Sequence, residues 1–179
     1  ITLINPPRTA TEIKELTVIP NANPVFGSVI SMYMSAWADG IKLPGDNIRA
    51  AHLDKTEVYS LEMGATNLAV RKNTYDPVTI KIVSGFPMGI PLLNAFIKKQ
   101  AMVFTIDDIS QNQKSGAEVI NYTIKLTGAY ISSYKQIFDK DNDIGASKSQ
   151  SAKGYDEIKI IFTKIEYTNS KGETVEDNL

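Results

Sequence analysis

Residues 119–126 alternate without a break. Ile120, Tyr122, Ile124 and Leu126 fall on one side of an extended chain, and Asn121, Thr123 and Lys125 on the other. A helix would scatter these apolar side chains around its circumference, whereas a strand gathers them on one face, so the pattern dictates a half-buried β-strand. One such strand cannot bury its apolar face alone and needs neighbours of its own kind. Further runs of bulky β-formers occur at residues 29–37, 57–63, 78–83, 102–106 and 158–167, and the alternating strand extends over 119–134. Turn formers such as Asp39-Gly40 and Pro44-Gly45 lie between them. That spacing predicts a mainly β fold, an antiparallel barrel or sandwich. Residues 91–99 depart from it: Pro91, Leu92, Leu93, Phe96 and Ile97 share a helical face, proline suits a first turn, and Lys98-Lys99 suit the carboxyl end of the helix dipole. One short α-helix is expected there.

Residues 158–167 place Ile158, Ile160 and Phe162 on one face of a strand and Ile161, Ile165 and Tyr167 on the other. A small barrel buries only one strand face, so the second needs another cover, either the helix, the N-terminal arm or a neighbouring subunit. Residues 1–27 are rich in turn formers, including Pro6-Pro7, Pro20, Asn21, Asn23 and Pro24, with a short strand candidate at 15–19. The expected organisation is an N-terminal arm, residues 1–28, lying over one domain, residues 29–179.

Composition removes much chemistry. The 179 residues include 19 Lys+Arg against 20 Asp+Glu, a balance that argues against affinity for a phosphate backbone and so against a nucleic-acid partner. Cysteine is absent and His52 is the single histidine, which excludes disulfides, thiol nucleophiles and multi-His metal sites. No apolar run approaches the roughly 18–20 residues of a membrane helix, and no basic, apolar secretion signal opens the sequence.

The remaining motifs are weak. His52 lies in a predicted loop with no Gly-x-Ser-x-Gly elbow to accompany it and reads as structural or solvated. Asp139, Asp141 and Asp143 resemble the start of a calcium loop, but Ile144 stands where glycine is needed and Gln150 where a bidentate glutamate belongs. Asp107 and Asp108 are neighbours that a strand would point to opposite faces, and a strand end or turn is expected. Gly85 and Gly89 lack the Lys-Ser/Thr of a phosphate loop. Asn121-Tyr122-Thr123 fits a glycosylation pattern but sits inside the best strand. Tyr130, Tyr134 and Phe138 near Lys135 read as packing residues, without the basic stripe of a stacking platform. No catalytic, cofactor-binding or metal-binding residue is assigned.

The order of pieces is similar to a known family. Met32-Tyr33-Met34-Ser35 through Asp39-Gly40-Ile41-Lys42-Leu43-Pro44-Gly45 resembles the opening strand and turn of the haemolysin co-regulated protein family, Hcp. Val78-Thr79-Ile80-Lys81-Ile82 and the helix that follows resemble that family's strand and short helix. Ile124-Lys125-Leu126-Thr127-Gly128-Ala129-Tyr130-Ile131-Ser132-Ser133-Tyr134 resembles a further family strand, and residues 156–167 look like its closing strand. The likeness covers roughly residues 29–172. Leu61-Glu62-Met63-Gly64 stands where the family carries aromatics, and residues 1–27 have no counterpart.

The resemblance implies an antiparallel β-barrel with one short α-helix that forms homohexameric rings. Such rings stack into the inner tube of a bacterial type VI secretion system, with sheath, spike and effector proteins as partners. It further implies assembly in the bacterial cytoplasm followed by secretion to the extracellular space or a target cell, no enzymatic activity, no cofactor and no membrane insertion. The subunit interface is expected at Ile158, Ile160 and Phe162, at the helix face Leu92 and Phe96, and at Tyr130, Ile131 and Tyr134. Two alternatives remain: a monomeric secreted β-barrel binding module or effector using polar loops at 107–117 and 139–154, and a hydrolase built around His52.

Overall fold

The computed structural model describes residues 28–45, 52–83, 87–138 and 154–179. Strand β1 (Ser28–Ala38) turns at Asp39-Gly40 into β2 (Ile41–Lys42). Asp39 and Gly40 both have positive φ, 49° and 79°, and this two-residue reversal matches the twist of the strands it joins. β3 (Thr56–Val58), β4 (Ser60–Glu62), β5 (Ala65–Thr66), β6 (Thr74–Tyr75) and β7 (Val78–Val83) follow. Helix α1 (Gly89–Ile97) comes next, with Pro91 in its first turn, and then β8 (Met102–Asn112) and β9 (Glu118–Phe138). β10 (Gly154–Ile161), β11 (Lys164–Asn169) and β12 (Thr174–Asn178) complete the described chain.

All pairings are antiparallel, in the order β2-β1-β8-β9-β10-β7-β4, with β3 on the second edge of β1 and β11–β12 on β9. Residues 56–62 join the two ends of this sheet. β3 pairs with Met32–Met34 of β1, the Tyr59 amide donates to the Lys81 carbonyl at 2.9 Å, and β4 pairs with Thr79–Lys81 of β7. One segment thus begins on one edge and ends on the other, which closes the sheet around a single core. Met34, Phe104, Ile106, Ile124, Leu126, Ile80, Ile82 and Ile158 fill it, and Met88, Leu92 and Ala95 close it from the helix side. The predicted barrel with one helix is the fold observed.

Three expectations are corrected. Residues 158–167 form two strands, β10 and β11, broken at Phe162-Thr163, while β9 runs past the break over 21 residues and pairs with both. The break resets the alternation: Ile158, Ile160, Phe162 and Ile165 are all buried in the core. Of the supposed second face only Ile161, at 47% exposure, and Tyr167, at 37%, remain open. Residues 107–117 are mostly strand, since β8 continues to Asn112 and the reversal is confined to a short turn. Asp107 and Asp108 therefore lie inside β8 and not at its end. Residues 1–27 and the calcium-like stretch 139–150 lie outside the described residues.

A second, smaller cluster sits on the outer face of β1 and β8. Tyr33 and Asp107 are cross-strand partners there, as are Ser31 and Ile109. Tyr33, Asp107 and Ile109 are buried, with His52 lying on Tyr33 and Lys55 on Asp107. The His52 ring stacks on Tyr33 with centroids 4.3 Å apart and planes 12° apart. Its Nε2 is 2.7 Å from Glu118 Oε2, while Nδ1 is buried without a hydrogen-bond partner. Lys55 donates to Asp107 Oδ2 at 2.9 Å and the Thr123 hydroxyl donates to Asp107 Oδ1 at 2.7 Å, so the buried carboxylate is paired and hydrogen-bonded. Gly45 permits this overlay: a β-carbon there would overlap the Leu53 carbonyl.

Candidate assembly surface

Most of the side chains expected at a subunit interface lie inside the chain. Ile158, Ile160 and Leu92 are fully buried, and Phe162 and Ile131 nearly so. Phe96 and Tyr134 are partly buried against the core with ring centroids 6.3 Å apart. The helix residues Leu92 and Ala95 share one core cluster with Ile158, Ile160 and Phe162 within the same chain. Tyr130 is the single member of the expected set that is open, at 41%.

The seat of the helix explains these positions. Asp156 is buried and sits beside the first turn of α1, where a β-carbon on Gly89 would come within 3.4 Å of its Oδ2. A carboxylate at this end of a helix is favoured by the unpaired amides and the dipole. The Tyr134 hydroxyl donates to the same carboxylate and lies 3.3 Å from the Gly89 carbonyl oxygen. Burial, followed by the hydrogen bond and the charge of Asp156, pushes the Tyr134 phenol well above its ordinary value. β9, β10 and α1 are tied together at one point.

Among the described residues, the surfaces open to a partner include the following. On the outer side of β9 and β10, Tyr130 and Ile161 stand directly opposite each other, both exposed. At one rim, a cleft of about 470 Å³ lies between the β5–β6 ribbon and the β11–β12 hairpin, with Met63, Tyr75, Ile165, Tyr167 and Val175 inside and Asn73, Glu176 and Asp177 at its edge. Tyr75 and Asn73 both donate to Asp177 Oδ2, at 2.8 and 3.0 Å, which fixes ribbon to hairpin. These bonds, that from Asn73 first, hold the Asp177 carboxyl below the usual range, and Asp177 in turn raises the Tyr75 phenol. Between β5 and β6 the chain projects, with Leu68 at 42% and Val70 at 93% exposure beside Arg71 and Lys72.

Sequence reasoning missed Ile161's exposed partner relationship with Tyr130 and the projecting Leu68 and Val70. The run Asn67-Leu68-Ala69-Val70-Arg71-Lys72, two apolar residues inside a polar turn, was the available signal. Among the described residues, no group of three or more His, Asp or Glu is placed to hold a metal. His52, the residue that a hydrolase would need, packs flat on Tyr33 and bonds Glu118.

No family model matches the chain, and no curated protein matches it by sequence. Solved structures do. A mutant of the Hcp1 protein from E. coli EAEC 042 matches over 84% of this chain and 98% of its own, with TM-score 0.68 and 13% identity. The secreted protein Hcp3 from Pseudomonas aeruginosa covers the same shares, with TM-score 0.62 and 19% identity. A type VI secretion system effector from Yersinia pestis matches over 82% of this chain and 98% of its own, with TM-score 0.57 and 15% identity. The protein is thus a mainly antiparallel β fold with one helix among the described residues. More particularly, its fold is that of the Hcp proteins.

Proposed function

We propose that this chain is a structural tube subunit of a type VI secretion system, assembling into hexameric rings that stack into a hollow tube. The observation that carries this reading is the Hcp fold, matched over nearly the whole length of the Hcp structures compared. The open surfaces support it, since apolar side chains on the outside of a barrel are accounted for by a neighbouring copy. Tyr130 and Ile161 form the flank of the barrel that meets the next subunit in the ring. The β5–β6 projection with Leu68 and Val70 extends to a copy in an adjoining ring. Ile158, Ile160, Phe162, Leu92, Phe96, Ile131 and Tyr134 act from beneath, by fixing the curvature of the sheet that presents those surfaces.

In this reading the protein works by shape, with no catalytic step. It is assembled in the bacterial cytoplasm, driven outward by a contractile sheath behind a spike, and carries effectors in its lumen. No helix among the described residues is long and apolar enough to cross a membrane. Negative-stain microscopy of the purified chain tests the proposal. Six-membered rings are expected, and a particle that stays monomeric at every concentration supports instead a monomeric secreted module.

A further inference from the structure

Helix α1 has two apolar faces. Leu92 and Ala95 are buried in the core. Ile90, Leu93 and Ile97 recur at the spacing of a single helical stripe on the other side, and there Ile90 is 73% and Ile97 67% exposed. A helix that is apolar all round is normally enclosed on every side. Lys98 and Lys99 follow directly and are both exposed, so the open stripe ends in two positive charges.

A surface of the opposite character lies on the other side of β9 and β10. α1 packs on their core side, with the Tyr134 hydroxyl 3.3 Å from the Gly89 carbonyl oxygen, whereas Tyr130 and Ile161 face outward. Lys159 shares the outward face of β10 with Ile161 and lines a cleft of about 380 Å³ together with Glu62, Asp76 and Thr79. Glu62 of β4 stands opposite Thr79 of β7, and Thr79 opposite Lys159, so flank and cleft form one continuous surface. It is apolar at Tyr130 and Ile161 and carries two exposed carboxylates, Glu62 and Asp76, beside the single ammonium of Lys159. From Ile90 to Lys98 the helical rise covers about 12 Å, and from Tyr130 on β9 to Glu62 on β4 three strand spacings cover about 14 Å, so the two surfaces match in length. A ring subunit meets its two neighbours through two different faces, and complementary faces on opposite sides of one layer suit such a head-to-tail contact. We propose that the open stripe of α1 docks on the β9–β10 flank of the neighbouring copy, with Ile90, Leu93 and Ile97 against Tyr130 and Ile161, and Lys98 and Lys99 over Glu62 and Asp76. This inference rests on the tube reading and names the second half of its ring contact.

Native mass spectrometry of the natural chain and three variants across a concentration series tests it. Ile97→Asp is expected to lose the six-chain species while its circular dichroism stays unchanged. Lys98→Glu with Lys99→Glu sets carboxylates against carboxylates and is expected to raise the concentration needed for half assembly about tenfold or more. Adding Glu62→Lys and Asp76→Lys to that chain restores opposite charges at every contact of the ring and should return assembly to near the natural concentration. Rings that persist in Ile97→Asp, or a charge reversal without effect or without rescue, overturn this inference and leave the tube reading standing. A natural chain that stays single at every concentration overturns both. If Ile97→Asp does not fold, the charge reversal and its rescue decide.

Discussion

The Thr163 side chain occupies the space where a β-carbon on Gly128 would stand, and Gly128 has φ +57°. The Thr163 amide donates to the Thr127 carbonyl at 3.1 Å, so the break between β10 and β11 is pinned to the point where β9 bends. Both the conformation and the close approach require glycine. Gly128→Ala is expected to cost about 2–4 kcal/mol, from left-handed strain plus displacement of Thr163. Chemical denaturation checks it. In a Thr163→Ala background the penalty should shrink to roughly the backbone strain of about 1–2 kcal/mol, and an unchanged penalty contradicts the steric account.

Burial separates Ile160 from Ile161. Ile160→Asp places a charge in the core and should abolish cooperative folding. Ile161→Asp or Tyr130→Asp should leave the melting temperature within a few degrees and disrupt association. Circular dichroism with size-exclusion chromatography distinguishes the two; a folded, monomeric Ile160→Asp would return that residue to the interface.

Alkaline stability follows from Tyr134. Its phenol is held above the ordinary value of 10.0 in the folded chain, so below that pH the favourable neutral state is fully present. As pH rises past about 10, the unfolded tyrosine ionises first and stability falls. Tyr122 is shifted the same way, chiefly by burial. Tyr134→Phe should lose less stability than the natural chain between pH 9 and 11, measured as melting temperature against pH. Equal slopes contradict this.

Asp156→Ala removes the acceptor of Tyr134 and the carboxylate beside the first turn of α1. A loss of about 1–3 kcal/mol is expected, the usual cost of stranding such groups. Tyr134→Phe in the Asp156→Ala background should add little further, because both act through one contact. Denaturant midpoints of the four proteins check the coupling.

The elements with one unbroken period were legible. The residue pattern predicts β7 to the residue, Val78–Val83, and β1 ends before Asp39-Gly40 as the turn chemistry requires. The helix begins two residues before the expected start, because Pro91 sits inside the first turn and not at its start. The error at residues 158–167 arose because a two-residue break shifts the phase of alternation, and side-chain types alone do not reveal which way Ile165 turns after it. His52 and Glu118 meet across 66 residues of sequence, a distance over which no local pattern operates.

The central claim is that this barrel assembles with copies of itself, and native mass spectrometry of the purified full chain across a concentration series tests it most directly. The account predicts a species of six chains that grows with concentration and is lost in Ile161→Asp. A single-chain mass at every concentration, from a protein that remains folded, would contradict it.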